Sequence, residues 1–286
     1  MTNILLGKPI KDEIFNQISE DVIKLKEIGV FPKITTVRIG ENYDDISYEK
    51  NIIKSCNVLG INIENKTLPS NCSEDDLIGL IRELNDDDEV VGILVFRPLP
   101  KQIDSQKIEN LIYAYKDIDC MSGENLKRIF LNEREIFYPA TPLAVIEMLK
   151  HYNIEIAGKR VCIINRSKVL GRPLSMMLLN LDATVILCHS KTQNLEQITQ
   201  NSDIVITATP QVEFFGKEFF NENSIVIDVT IGVNESGKLA GALKELEIQN
   251  FVNSYTPVPK GVGSVTVAVM LKQLIEKYKN QAINQL

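Results

Sequence analysis

The sequence predicts an α/β protein of two α/β domains with an intervening cleft, the second domain a Rossmann-like, doubly wound parallel sheet. Three observations predict it. The 286 residues, 44% apolar and 24% charged, suffice for two domains with buried cores. Apolar strand-like runs alternate with amphipathic stretches throughout, the pattern of layered α/β structure with mostly parallel sheets. The third is the stretch Val161-Cys-Ile-Ile-Asn-Arg-Ser-Lys-Val-Leu-Gly171-Arg-Pro173, which reads as strand, turn and helix start, with a second strand, Ala183 to Cys188, following.

The elements follow in order. Asp12 to Ile28 is a helix whose inner face carries Ile14, Phe15, Ile18, Val22 and Leu25. Ile34 to Ile39 is a strand, and a polar turn, Gly40 to Asp45, leads into a helix that ends near Leu59. Ser73 and Asp76 form a capping box for the next helix. Val90 to Val95 is a buried strand, preceded by the solvated run Asp86-Asp-Asp-Glu89 and stopped by Pro98 and Pro100. A helix follows Tyr138-Pro-Ala-Thr-Pro142. Strands are expected near 161–164, 184–187, 204–207 and 225–229. The Pro- and Gly-rich loop Thr256 to Gly263 precedes a last helix from about Ser264, with Val265, Ala268, Leu271, Ile275 and Tyr278 at helical spacing. That helix is long enough to pack back on the first domain.

Composition narrows the function. A net charge of −7 argues against non-specific nucleic-acid binding, which needs clustered Lys and Arg. Five scattered cysteines without a CxxC pair fit reduced thiols rather than a disulfide framework or a zinc site. With two histidines, a histidine-based metal site is not expected. No signal-peptide layout is visible, and no apolar run reaches the length of about eighteen residues needed to span a membrane. A cytoplasmic protein is expected.

The turn at 165–171 carries the first chemical expectation. Exposed N–H groups at a helix start form a cradle for a dinucleotide pyrophosphate, and Gly171 allows close backbone approach. An NAD enzyme usually carries an acidic residue at the end of the second strand. This chain offers His189, Ser190 and Lys191, with Arg166 in the first turn. A cationic, hydroxyl-rich site without a carboxylate suits the extra phosphate of NADP. Asn165 begins the turn, and NAD stays open beside NADP.

Further landmarks accumulate in one order: Gly7-Lys8, the Tyr48 helix ending Leu59-Gly60-Ile61, Pro98-Leu-Pro100, Lys116-Asp-Ile-Asp119 and Thr141-Pro142. Arg166-Ser167 with Gly171 and Pro173, His189-Ser190, Asp228-Val229, Pro257-Val-Pro259 and Gly261-Val-Gly263 complete the set. Over essentially its whole length the chain resembles the bifunctional methylene-tetrahydrofolate dehydrogenase/methenyl-tetrahydrofolate cyclohydrolase family. The resemblance implies a folate-binding catalytic domain at 1–140, completed by the last helix at 264–286, and an NADP-binding Rossmann-like domain at 141–263. It implies a homodimer, a tetrahydrofolate derivative as substrate, and no nucleic-acid or membrane partner. Tyr48 is expected to stack on the folate and Asp119 to hold the pterin. Pro257, Gly261 and Thr266 are expected to close over the substrate. Asn165, Arg166, Ser167, Gly171, His189, Ser190, Thr209, Thr230 and Ile231 are expected around the cofactor.

The chain departs from the family at telling places. Its Tyr-xxx-Lys motif has Ile52 in place of lysine, on the face of Tyr48 by i,i+4 spacing. Lys50 and Lys54 lie off that face. The Gln that supports the family lysine is Phe96, followed by Arg97. Glycines near the cofactor are replaced by Thr209, Thr230 and Lys260, and the Gly-Asp-Val motif reads Gly241-Ala-Leu243. Lys260 is a candidate catalytic cation in place of the missing lysine, with Arg97 as another residue that could serve.

Hydride transfer from methylene-tetrahydrofolate needs mainly proximity and orientation, whereas cyclohydrolysis needs proton shuttling by a group of tunable pKa. The residues therefore favour a dehydrogenase with weakened cyclohydrolase. A bifunctional enzyme whose water network replaces the lysine stays open, as does a non-catalytic folate- or nucleotide-binding paralogue. A shikimate-type NADP dehydrogenase is the alternative outside the family.

Overall fold

The computed structural model describes residues 2–133 and 137–284. These form two compact units, one of residues 2–12 and 140–266, the other of residues 13–139 and 267–284. In chain order the first elements are β1 (Asn3–Ile4), α1 (Gly7–Glu27), β2 (Lys33–Ile39), α2 (Tyr43–Leu59), β3 (Asn62–Leu68), α3 (Glu74–Asp86), β4 (Gly92–Val95), α4 (Ser105–Leu111) and α5 (Gly123–Phe130). Then come α6 (Ala140–His151), β5 (Arg160–Ile164), α7 (Gly171–Leu179), β6 (Thr184–Cys188), α8 (Leu195–Gln200), β7 (Ile204–Thr207) and β8 (Ile225–Asp228). The last are β9 (Gly232–Val233), β10 (Leu239–Ala240), α9 (Glu245–Ile248), β11 (Ser254–Tyr255) and α10 (Thr266–Asn284).

The unit of residues 13–139 and 267–284 is built on a parallel sheet of order β3-β2-β4. The segment Lys116–Asp119 runs parallel beside β4 through the Ile93↔Asp117 bridge, so its end lies at the same edge as the ends of β2 and β4. The helix expected from the Tyr48 region forms as α2. Asn42 Oδ1 accepts from Asp44 N at 2.8 Å and Asp45 N at 3.3 Å, and Gly60 ends the helix with φ 68°. The expected capping box opens α3. Val37, Leu77, Ile81, Ile93 and Ile108 form a buried core between sheet and helices. Helix α10 is tied to this unit: Gln273 exchanges two hydrogen bonds with the backbone of Tyr138, and the Tyr278 hydroxyl accepts from Lys33 N at 2.9 Å. Strand β3 escapes sequence reading because its residues are polar and half-exposed along one edge of the sheet.

The other unit carries a parallel sheet of order β1-β11-β8-β7-β5-β6. All its pairings are parallel. The strand order reverses at β5, where the chain passes first to β6 and later to β7 on the opposite side. That is the doubly wound arrangement, and ligands of such sheets bind where the order reverses. Strands β5 to β8 fall within a residue of the expected positions.

Residues 2–12 cluster with the larger-sheet unit, in which β1 pairs with β11 (Asn3↔Ser254, Ile4↔Tyr255). A two-residue strand leaves no period to read. The first helix starts at Gly7 rather than Asp12, with Pro9 in its first turn. Gly7 is required there: a Cβ would lie 2.3 Å from Gly261 O and 2.2 Å from Ser264 Oγ. The last helix starts at Thr266 after a single 3₁₀ turn at Val262–Ser264. Residues 1, 134–136, 285 and 286 of the expected domain ranges lie outside the described residues. No helix among the described residues is long and apolar enough to cross a membrane.

Candidate active site

In the smaller-sheet unit, the carboxyl edge of the sheet gathers the residues that sequence singled out. Tyr48, on the helix that follows β2, is half-buried, and its ring meets Phe96 edge to face at 6.1 Å. Ile52, one turn further along, has no exposed surface, and Phe96 is 7% exposed. Lys50 and Lys54 are exposed and lie off this face. The position of the family lysine is thus filled by packed hydrocarbon.

Glu49 anchors the same helix from below. Its buried carboxylate accepts from Thr36 Oγ1 at 3.0 Å, Arg38 Nε at 3.0 Å and Asn65 Nδ2 at 3.1 Å. This network fixes α2 against β2 and β3, and so fixes Tyr48. The sequence reading did not see it, because its members come from three separate elements.

Asp119 ends the strand-like segment beside β4. The next residue, Cys120, is fully buried in the left-handed region at φ 55° and turns the chain sharply there. Asp117 steadies the turn by accepting from Ser122 N at 2.8 Å and Asn125 Nδ2 at 3.1 Å. Lys116 is buried, and its ammonium donates to Leu84 O at 3.2 Å, Asn85 O at 2.6 Å and Asp87 O at 2.8 Å. It thereby caps the carbonyl end of α3; burial pulls its pKa down.

Arg97 follows Phe96 and faces Asp119. Its guanidinium pairs with buried Glu109 and donates to Ser105 Oγ at 3.3 Å, while its Nε lies 3.9 Å from Asp119 Oδ2. Burial pushes the Asp119 carboxyl up to about 6, with Arg97 opposing and Asp117 and Glu109 adding to the shift. The Asp119 side chain keeps 35% of its surface open.

In the larger-sheet unit, β5 ends at the expected turn, but the turn is organised differently from a bare amide cradle. Asn165 Oδ1 accepts from Ser167 N at 2.8 Å and Gly171 N at 3.1 Å, and Asn165 Nδ2 donates to Ala208 O at 2.6 Å. The expectation of open N–H groups is corrected for Ser167 and Gly171: both already have a partner in Asn165. The Asn165 side chain ties the ends of β5 and β7 together at the point of strand-order reversal. Gly171 is obligatory here, since a Cβ would lie 2.0 Å from Asn165 O. Arg166, Ser190 and Lys191 are exposed, and His189 Nδ1 accepts from Lys191 N at 3.1 Å.

Past β7 and β8, Thr230 is buried and its hydroxyl accepts from Thr209 N at 3.1 Å, while Ile231 is 66% exposed. Buried Asp228 holds this region together. It accepts from Thr207 Oγ1 at 2.9 Å, Thr230 N at 3.0 Å and Ala242 N at 2.7 Å. These bonds hold the Asp228 carboxyl down against the stronger upward push of burial. Gly241 presses so close that a Cβ would meet Asp228 Oδ2 at 2.1 Å. In the Pro257–Gly263 loop, Lys260 is exposed, and its carbonyl accepts from Gly7 N at 2.8 Å. Lys260 adopts φ 91°, a region that favours glycine, whereas Thr209 and Thr230 do not adopt positive φ. Thr266 opens α10, donating its hydroxyl to Gly263 O at 3.2 Å.

Residues 5–119 match the catalytic domain of the tetrahydrofolate dehydrogenase/cyclohydrolase family, and residues 139–282 match its NAD(P)-binding domain. The chain belongs to this family. It is 46% identical over 276 residues, 96% of this chain and 98% of the relative, to a bifunctional protein FolD of Clostridium botulinum. Among solved structures, the FolD methylenetetrahydrofolate dehydrogenase/cyclohydrolase of Campylobacter jejuni superposes with a TM-score of 0.96 at 36% identity, covering 98% of this chain and 100% of that one. The Trypanosoma brucei enzyme, solved with NADP and an inhibitor, gives 0.92 at 29% identity, covering 98% of each chain. As a member of the family, the chain is an oxidoreductase of tetrahydrofolate-borne one-carbon units with an NAD(P)-binding domain.

Proposed function

We propose that this enzyme oxidises methylene-tetrahydrofolate to methenyl-tetrahydrofolate with NADP, and that its hydrolysis of the methenyl compound is weak. The observation that carries the second half is the closed apolar face of Tyr48, Ile52 and Phe96. The unit of residues 13–139 and 267–284 is assigned to the folate, with Tyr48 stacking on it and Asp119 accepting from the pterin N–H groups. The larger-sheet unit is assigned to the cofactor, and Pro257, Gly261 and Thr266 are assigned to substrate contact.

The donor set fits NADP. Arg166, Ser190 and Lys191 are exposed just past the carboxyl ends of β5 and β6, and none of residues 189–191 after β6 is acidic. Gly171, Asn165 and Ser167 would hold the pyrophosphate, and Thr209, Thr230 and Ile231 would flank the nicotinamide. Bound NADP supplies the hydride acceptor. The chain's own contribution to that step is orientation and exclusion of water, which needs no titrating side chain. Arg166→Ala should raise KM for NADP at least about tenfold more than KM for NAD; equal effects on both would refute the phosphate assignment.

Hydrolysis is another matter. Water must be deprotonated beside the methenyl carbon, and a positioned base contributes about 10²–10⁴-fold. Ile52 cannot supply it. A single assay decides: NADPH, methenyl- and formyl-tetrahydrofolate are followed separately in one reaction. NADPH with accumulating methenyl compound is the expected outcome; formyl product forming well above the uncatalysed rate refutes weak hydrolysis. Absence of NADPH with either cofactor, despite folate binding, would turn the reading to a non-catalytic binding protein.

A second reading, hydrolysis through Lys260, has one observation in its favour: a lysine kept at φ 91°, where a non-glycine residue costs about 1–3 kcal/mol. Lys260→Gly should stabilise the protein by about 1 kcal/mol without changing the rate of formyl product. Loss of that product in the variant would make Lys260 the base instead.

The same reading places the enzyme in the cytoplasm as a homodimer. All five cysteines are buried free thiols, as suits a reducing compartment. Edge strand β6, with Leu187 and nearby Leu179 exposed, suits a subunit contact. Sedimentation of the purified protein as a monomer would refute the dimer.

A further inference from the structure

We propose that Arg97 is a positioning residue for Asp119: a guanidinium locked by Glu109 and Ser105, which fixes the charge and direction of the carboxylate that receives the pteridine ring. The inference rests on the folate reading above and adds a residue beyond those that the resemblance implies.

Three observations support it. The Arg97 side chain is 17% exposed and tied through Nη1 to Glu109, itself 6% exposed, so its position is set by buried charge rather than by solvent. Its Nε is buried and makes no hydrogen bond, an uncommon state for a donor held in a folded interior. That open N–H lies 3.9 Å from Asp119 Oδ2, within reach of a small carboxylate rotation. A donor kept free beside a ligand-binding acceptor is a bond reserved for the loaded site.

Electrostatics gives the arrangement its purpose. The groups facing the Asp119 carboxyl are Arg97 from the end of β4, Glu109 from α4, and Asp117 and Cys120 from its own segment. Burial and both acidic neighbours favour the protonated form, and Arg97 alone opposes them. A protonated Asp119 would accept poorly from pterin N–H groups. With Ile52 and Phe96 in place of a lysine and its partner, Arg97 supplies a cation here. Arginine suits the role because it stays charged when buried and can hold two acids at once.

The test uses the full-length enzyme and the pH profile of kcat/KM for methylene-tetrahydrofolate. Because Arg97→Leu alone strands buried Glu109, the informative variant is Arg97→Leu with Glu109→Leu; Arg97→Lys is its charge-preserving companion. Thermal unfolding and NADP binding report whether each variant is folded. The wild type should lose kcat/KM below about pH 6. The double variant should lose it about one pH unit higher, with KM up about threefold at pH 6.5, nearly unchanged at pH 8.5, and kcat nearly unchanged. Arg97→Lys should keep the wild-type acid limb. A folded double variant with the wild-type limb would overturn the role of Arg97 while leaving the folate reading intact. Failure of the wild type to bind tetrahydrofolate in calorimetry would overturn both.

Discussion

Restoring the lysine at position 52 shows how firmly the apolar face of α2 is closed. Ile52 has no exposed surface, so its removal forfeits about 1.5–3 kcal/mol of burial, of which a lysine stem recovers only part. An ammonium without a partner in that packing adds several kcal/mol or loses its proton. Ile52→Lys alone should therefore cost about 3–5 kcal/mol and lower the melting temperature by about 10 °C. Phe96→Gln alone removes a ring that is 7% exposed and its edge-to-face contact with Tyr48, a loss of about 3 kcal/mol. Together the changes should cost less than their sum by about 1–3 kcal/mol, because the new amide oxygen gives the new ammonium an acceptor. Thermal unfolding of both single variants and the double variant measures that coupling. Decay of methenyl-tetrahydrofolate absorbance measures hydrolysis, which should rise about 10²-fold in the double variant only. Additive melting costs, or full hydrolysis in Ile52→Lys without loss of stability, would refute the reasoning.

Two further perturbations probe the frame of the site. Lys116→Met leaves the carbonyls of Leu84, Asn85 and Asp87 without their shared donor and should cost about 3–5 kcal/mol; an unchanged denaturation midpoint would show that water replaces the ammonium. Burial raises the Asp119 carboxyl to about 6, so the folded chain binds its proton more tightly than the unfolded chain does. Ionisation then subtracts stability as pH rises from about 4 to 6. Asp119→Asn should accordingly melt above the wild type at pH 8 and level with it near pH 4, while losing folate affinity. The gap is modest because 35% of the side chain is open to screening solvent. A wild type that melts higher at pH 8 would refute the sign.

The frame was readable wherever local chemistry decided it. The box of Ser73 and Asp76, Gly60 after Leu59, and the apolar runs of β4 to β8 each carry their own signal within a few residues. Strand β1 did not, because two residues show no period; β3 did not, because an edge strand need not be apolar. Sequence singled out Tyr48 and Asp119 but not what holds them. Glu49 meets partners from β2 and β3, and Lys116 meets carbonyls from the end of α3; both are long-range contacts with no local pattern. Asn165 was visible as the start of the turn. Only the structure shows that its side chain supplies hydrogen-bonding order to that turn.

The substitutions make physical sense as a set. A buried lysine needs an acceptor, and a buried glutamine needs a donor, so losing either alone leaves an unsatisfied polar group worth about 1–3 kcal/mol. Losing both, with Ile52 and Phe96 packed in their place, is close to neutral for folding. Charge then returns one residue later, at Arg97, where Glu109 can hold it and Asp119 can use it. An arginine keeps a carboxylate ionised but is too basic to exchange protons with water near neutrality. On the proposed reading, the site retains what substrate orientation requires and gives up what water activation requires. That division follows from the difference between a fixed charge and a titrating one.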